Sequence, residues 1–91
     1  LFVSNPEIAS FLLVYPNPVE AGESQIHFVL PQNADVNCEL YNLGGQLLNR
    51  VEMGQTPAGE ITLPIGNLAS GTYLLKIYRN GIADSVKIIV K

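Results

Sequence analysis

The sequence contains one cysteine, one histidine and no tryptophan, and these scarcities exclude several kinds of functional site. A single cysteine cannot form an internal disulfide bond. One histidine and one cysteine provide too few ligands for a zinc site, and the acidic residues lack the spacing of a calcium-binding loop. We therefore predict neither a metal ion nor a cofactor.

The cysteine and the histidine are also predicted to face opposite ways, which argues against a nucleophilic enzyme. In the segment VNCELY, Cys38 alternates with polar residues, so we expect it to be buried as a small hydrophobe. In SQIHFVL, His27 lies between two apolar residues, which places it on the solvent-exposed face. With no Cys–His or Ser–His–Asp centre to be expected, we predict no catalytic residue and no enzymatic activity.

Basic residues are few and unevenly distributed. The chain is 47% hydrophobic and 14% charged, which is typical of a globular domain. Its isoelectric point of about 4.8 argues against nucleic acid as a partner. Residues 1–75 carry seven acidic residues against Arg50, a balance of −6, whereas residues 76–91 carry four basic residues against Asp84, a balance of +3. This asymmetry indicates that the last segment is an interaction end.

Long hydrophobic runs are absent as well. The run FLLVY is far shorter than the ~20 residues that a membrane-spanning helix needs. No segment has the pattern of a signal peptide. Because the chain begins at Leu1 and Met53 is its only methionine, we expect a piece of a larger protein, with any export signal upstream.

Short segments of alternating polarity make up most of the chain, and helical periodicity does not occur. The pattern predicts an all-β domain, an antiparallel β-sandwich of about seven strands. We interpret residues 1–13 as a linker or a loosely attached first strand, and residues 14–91 as the domain. The predicted core consists of Ile61, Leu63, Tyr73, Leu75, Ile77, Val86, Ile88 and Val90.

Turn-forming residues separate the predicted strands. Gly44-Gly45 and Asn80-Gly81 both suit the positive φ angles of a tight primed turn, so each predicts a hairpin. In YPNP, residues 15–18, the two prolines would keep an edge strand from pairing with another chain. In SGTY, Gly71 would turn the chain and Tyr73 would bury its ring, with a nearby partner for the hydroxyl.

The predicted last hairpin has an unusual outward face. Alternation places three lysines and two apolar or aromatic residues on it: Lys76, Tyr78, Lys87, Ile89 and Lys91. Isolated lysines on a strand are ordinarily solvated. A face that combines them with Tyr78 and Ile89 is more apolar than solubility requires, and this favours a contact surface.

Four motifs in their order resemble a known family. The segments YPNP, ELYNLGGQLL, LASGTYLLKI and VKIIVK resemble the type A C-terminal sorting domain of the type IX (Por) secretion system of Bacteroidetes, over residues 14–91. Asn42 stands where that family more commonly has Asp, a change that keeps a turn-forming side chain. The residues that match the family's motifs are Tyr15, Pro16, Asn17, Pro18, Tyr41, Asn42, Gly45, Leu68, Gly71, Tyr73, Lys87 and Lys91.

This resemblance implies a non-catalytic sorting signal with an immunoglobulin-like fold, attached to an upstream cargo domain in the same chain. It implies passage through the periplasm, recognition by an outer-membrane translocon, and a final location in the outer membrane, at the cell surface or outside the cell. In many such cargoes a sortase-like cysteine peptidase removes the domain. The residues expected to serve translocon recognition are Gly71, Tyr73, Lys76, Tyr78, Lys87, Ile89 and Lys91.

Other readings of the sequence stay open at this point. The domain could be a passive immunoglobulin-like spacer or a carbohydrate-binding accessory module of a secreted enzyme, although sugar sites usually present aromatic platforms and tryptophan is absent here. A small sandwich also has edge strands with unpaired backbone groups. We therefore expect a dimer or a strand-swapped pair at high concentration.

Overall fold

The computed structural model describes residues 12–20 and 22–91, and within these ranges all regular structure is β-strand. The prediction of a seven-stranded all-β domain is confirmed. The strands are β1 (Val14–Tyr15), β2 (Gln25–Leu30), β3 (Ala34–Asn42), β4 (Leu47–Thr56), β5 (Gly59–Pro64), β6 (Gly71–Arg79) and β7 (Ile82–Val90).

The strands form two sheets packed face to face, as in an immunoglobulin-like sandwich. One sheet has the order β1-β2-β5, and the other has the order β4-β3-β6-β7. Every pairing between neighbouring strands is antiparallel. The last hairpin, β6–β7, therefore lies at one edge of the larger sheet.

The core lies between the two sheets and is built from the alternating apolar residues of both. Its largest fully buried side chains include Phe28 and Ile26 of β2, and Leu75, Ile77 and Ile88 of the last hairpin. The predicted core residues are all buried except one. Ile61 of β5 is only half-buried, and it packs against the core.

Leu12 adds to the core from outside the predicted domain boundary. The sequence pattern assigns it to a linker or loosely attached strand, yet its side chain is buried among the core residues. Packing of the domain thus begins before residue 14. The remainder of the predicted linker, residues 1–11, lies outside the described residues.

Both predicted hairpins form, but only one of them has the predicted two-residue turn. Asn80 and Gly81 have φ angles of 51° and 85° and join β6 to β7 as a two-residue turn. Between β3 and β4 only Gly45 has a positive φ, at 86°. There Gly45 N donates to Asn42 O and Asn42 N to Gln46 O, each at 3.0 Å, which closes a three-residue loop. The side chain of Asn42 favours this wider turn because its Oδ1 accepts from Gln46 N.

Cys38 is buried on the inner face of β3, as its alternation predicts. Burial raises the pKa of its thiol to about 12, so the reactive thiolate is scarce at neutral pH. We expect Cys38 to react with a thiol reagent far more slowly in the native domain than in denaturant, as followed by the absorbance of released thionitrobenzoate. Rapid labelling of the native domain would contradict the buried position.

Candidate functional site

A short segment after β1 covers part of the exposed edge of β7. We call residues 17–19 the strap. The side chain of Asn17 donates from Nδ2 to Lys87 O at 2.8 Å, and its Oδ1 accepts from Ile89 N at 3.1 Å. Val19 continues the pairing, because its N donates to Ile89 O at 2.6 Å and its O accepts from Lys91 N at 2.9 Å. The side chain of Asn17 and the backbone of Val19 thus make the hydrogen bonds that a neighbouring strand would otherwise make with β7.

The strap brings together two motifs that are about seventy residues apart in the sequence, YPNP and the terminal VKIIVK. The side chain of Val19 is fully buried, which anchors the strap to the core. Lys91 Nζ forms an ion pair with Glu20 Oε2 at 3.1 Å just beyond it. The prolines of the motif were expected to keep an edge strand from pairing with another chain. In the structure, the motif and the residue after it cover the edge of β7.

Four of the five outward residues predicted for the last hairpin lie on one face, and the fifth, Lys91, is exposed just after the end of β7. Burial alternates along both strands, and it leaves Lys76 and Tyr78 of β6 and Lys87 and Ile89 of β7 on the side away from the core. We call this side of the larger sheet the outer face. Ile89 keeps 43% of its surface exposed.

Two other residues proposed for recognition face the opposite way. Tyr73 is buried against the core, and its hydroxyl donates to Ala69 O at 2.6 Å. This is the tyrosine corner known from immunoglobulin-like sandwiches, and it fixes the start of β6. Gly71 lies beside the ring, since a Cβ at this position would stand 3.9 Å from Tyr73 Cε1. Both residues hold the hairpin in place from its inner side.

A carboxylate that the sequence analysis did not identify organises the centre of the outer face. Glu39 Oε1 accepts hydrogen bonds from the hydroxyls of Tyr41, at 2.6 Å, and Tyr78, at 3.1 Å. Arg50 Nε lies 3.5 Å from its other oxygen. The Tyr41 hydrogen bond above all lowers the pKa of Glu39, and it raises the pKa of Tyr41 for the same reason. The register pairs Glu39 with both Arg50 and Lys76, and no local pattern reveals this.

The remaining motif residues have structural partners. The Tyr15 hydroxyl donates to the carboxylate of Glu60, which raises the pKa of Tyr15. The Tyr15 ring also lies 5.6 Å from the ring of His27, between centroids. His27 belongs to the smaller sheet, whereas Cys38 faces the core from the larger one. The two side chains therefore form no catalytic pair.

The described part of the chain contains no group of three histidine, cysteine or acidic residues that could hold a metal ion. Among residues 12–20 and 22–91, no helix is long and apolar enough to cross a membrane. The outer face carries charged, aromatic and aliphatic side chains, and this combination suits contact with another protein.

Comparisons with known proteins identify a family and structures with a similar fold. The sequence model of a family described as the secretion system C-terminal sorting domain matches residues 13–91. No curated protein sequence shows a significant match. Two solved structures share the fold. A Bacillus anthracis protein assigned as a lipoprotein has a TM-score of 0.57 at 16% identity, over 89% of this chain and 73% of that one. The Ig1 domain of mouse SynCAM 2 has a TM-score of 0.55 at 14% identity, over 89% and 93%.

Proposed function

Because the chain belongs to the family of secretion system C-terminal sorting domains and is therefore a sorting signal of the type IX system, we propose that the translocon recognises it through the outer face of the β6–β7 hairpin. The observation that carries this proposal is the composition of that face. Lys76, Tyr78, Lys87 and Ile89 project from two adjacent strands of one rigid sheet. The family match favours this role over a passive spacer or a carbohydrate-binding module.

Charged and apolar side chains on this face would contribute differently to binding. Lysines accelerate the approach to an acidic partner surface, whereas most of the affinity in protein interfaces comes from well-packed, desolvated side chains. Ile89 and Tyr78 supply such area. Tyr78 is held in place by its bond to Glu39, so little side-chain entropy is lost when a partner covers it.

The strap supports recognition by holding β7 in register. It bonds to the backbone of Lys87, Ile89 and Lys91, the three residues of VKIIVK whose side chains point outward. The strap covers the edge of β7 at these residues. A partner strand could therefore add to β7 only beside Ala83 and Ser85, which the strap does not cover. A dimer or a strand-swapped pair stays a prediction, and this uncovered stretch is the part of the edge open to it.

The domain would act after the cargo has reached the periplasm, and the translocon would then carry the cargo to the outer membrane, the cell surface or the medium. Removal by a sortase-like cysteine peptidase would follow as a separate step in which this domain is the substrate. No catalytic role falls to the domain itself, consistent with its family. These steps follow from the family's role, and in them the folded domain would be the sorting signal.

The test is an export assay with a matched pair of variants. Residues 1–91 are fused to a periplasmic reporter with its own signal peptide, in a bacterium that has the type IX machinery. Lys87→Gln/Ile89→Ser removes one positive charge and one exposed aliphatic side chain from the outer face. We expect surface delivery of the reporter to fall about tenfold or more, since both the steering charge and the contact area are lost.

The control makes the same kinds of change on the opposite side of the sandwich. Gln25→Glu/Val29→Ser alters the net charge equally and removes an exposed valine from β2, whose outer face lies away from the hairpin. Its export should match the parent fusion. If both variants keep their melting temperatures and export equally well, the assignment of the outer face is wrong. If the parent fusion stays in the periplasm, the sorting role of this chain fails.

A further inference from the structure

A groove of about 590 Å³ lies on the outer face, where the β3–β4 turn meets the last hairpin. Its apolar lining includes Tyr41, Leu43 and Leu74, and its cations are Lys76 and Lys87. The volume falls within the range of ligand-binding sites. Because the groove is open to solvent along the sheet, it suits a segment that lies across the face better than an enclosed small molecule.

The register explains how these residues come together. Leu74 of β6 pairs with Tyr41 of β3 on one side and with Lys87 of β7 on the other, so the three side chains form one row across the sheet. Lys76 stands in the next row, with its Nζ 5.4 Å from the centroid of the Tyr41 ring. The row of Tyr41, Leu74 and Lys87 therefore runs from an aromatic to an aliphatic to a cationic side chain across three strands.

The two lysines of the groove differ from the other cations of the described chain. Arg50 is paired with Glu39 and Glu52, Arg79 with Asp84, and Lys91 with Glu20. Within residues 12–20 and 22–91, neither Lys76 nor Lys87 forms an ion pair. The carboxylate nearest to Lys76 in the register, Glu39, is already engaged by two tyrosine hydroxyls and Arg50. The groove thus presents two lysines without a salt bridge, of which Lys76 lies over the Tyr41 ring and Lys87 is exposed.

Leu43 provides a separate indication of an apolar contact. It lies in the β3–β4 turn, where polar residues are usual, and 76% of its surface is exposed. No packing against the core requires a leucine at this position. It stands at the rim of the groove.

From these observations we infer that the groove binds an extended acidic peptide segment of a partner protein. Lys76 and Lys87 are diagonal neighbours on adjacent strands, with a separation of about 7 Å. Residues i and i+2 of an extended strand are separated by nearly the same distance, roughly 6.8 Å. A segment with two acidic residues at i and i+2 would place both carboxylates at the lysines. It would pass beside Leu74, which pairs with Lys87 and precedes Lys76 by two residues in β6.

This inference rests on the proposed function for its biological meaning, but its test is a binding measurement without any secretion machinery. The probe is the acetylated, amidated peptide Leu-Thr-Asp-Thr-Asp-Thr, titrated into the isotope-labelled domain of residues 1–91. We expect amide shift changes centred on the groove residues and a dissociation constant that rises with salt. The peptide Leu-Thr-Asn-Thr-Asn-Thr, of equal length and β-propensity, should bind much more weakly.

Variants separate charge from apolar contact. Lys87→Gln should weaken binding about threefold and Lys76→Gln/Lys87→Gln about tenfold, as expected for exposed ion pairs. Leu74→Ser should weaken it without changing the salt dependence, in a domain shown to keep its melting temperature. Gln25→Glu, which changes the net charge as Lys87→Gln does but lies on the other sheet, should bind like the parent.

Three results would overturn the inference: shift changes spread over the whole surface, equal binding of the asparagine peptide, or preferential binding of the domain to phosphatidylglycerol vesicles through the same lysines. Each leaves the export assay unaffected. If Lys87→Gln/Ile89→Ser loses export but the parent domain does not bind the acidic peptide, only the acidic occupant is rejected. If the parent domain binds the peptide but the variant exports normally, only the recognition surface is rejected.

Discussion

Removal of residues 86–91 should leave the domain unfolded. The deleted segment VKIIVK contains Val86, Ile88 and Val90, whose side chains are 9%, 0% and 6% exposed. Burial of each contributes roughly 1.5–3 kcal/mol, or about 5–9 kcal/mol together. The free energy of unfolding of a small domain is about 5–15 kcal/mol, so the loss is comparable to the whole. The deletion also removes the residues to which the strap is bonded.

Circular dichroism and amide chemical-shift dispersion show directly whether the truncated domain is folded. The variant Lys87→Gln/Ile89→Ser/Lys91→Gln serves as the control, because it removes the outward chemistry of the same segment and keeps its three buried residues. The control should melt cooperatively near the parent temperature. A truncated domain with parent-like dispersion would contradict the role we assign to the terminal strand in the core.

This expectation changes how a terminal deletion is interpreted in a secretion assay. Loss of export after deletion of VKIIVK would report unfolding of the sandwich, even if no residue of the segment touched the translocon. Only substitutions on the outward positions, in a domain shown to remain folded, can test recognition. The alternation of burial along β7 makes such substitutions available at every second residue.

Asn17→Ala should destabilise the domain by about 1–3 kcal/mol, because the side chain of Asn17 makes two hydrogen bonds that alanine cannot replace. Lys87 O and Ile89 N would lose their partners, and the edge of β7 would open. The free energy of unfolding comes from urea titration. Hydrogen exchange adds a local readout, since the amide of Ile89 should exchange faster in the variant while amides in the middle of β3 keep their protection.

Asn67→Ala is the matched control, because Asn67 is an exposed loop residue for which the described structure shows no side-chain hydrogen bond. It should change the free energy of unfolding by less than about 0.5 kcal/mol. Equal stability of the two variants, with unchanged exchange at Ile89, would show that the strap does not hold β7. The YPNP motif would then need another explanation.

Much of the fold follows from local patterns. Alternation identifies the strands and nearly all of the core, because each inward side chain must be apolar wherever one face of a strand is buried. Ile61 is the one predicted core residue that is only half-buried. The Asn80-Gly81 turn was predictable because two successive residues with positive φ leave few alternatives. The turn at Gly45 was not, since Asn42 closes a wider loop through its own side chain.

The site depended on pairings between distant segments. The outward direction of Lys76, Tyr78, Lys87 and Ile89 follows from alternation alone. The network around Glu39 does not, because it depends on which residues of β3, β4 and β6 face one another in register. The groove likewise exists only because β3 and β6 are neighbours in the sheet, although the chain passes through the other sheet between them.

The sequence by itself determined the class of fold, the asymmetry of charge and the face on which the last hairpin exposes its lysines, since these are properties of residue type and period. The order of its motifs indicated the family by resemblance, and the family match confirms it. The tertiary structure alone decided that Asn17 and Val19 close the edge of β7, and that Lys76 and Lys87 are the described cations without an ion pair. The physical reason is that a hydrogen bond or an ion pair depends on distances of a few ångströms, and the packing of two sheets sets these distances for residues that are far apart in the chain.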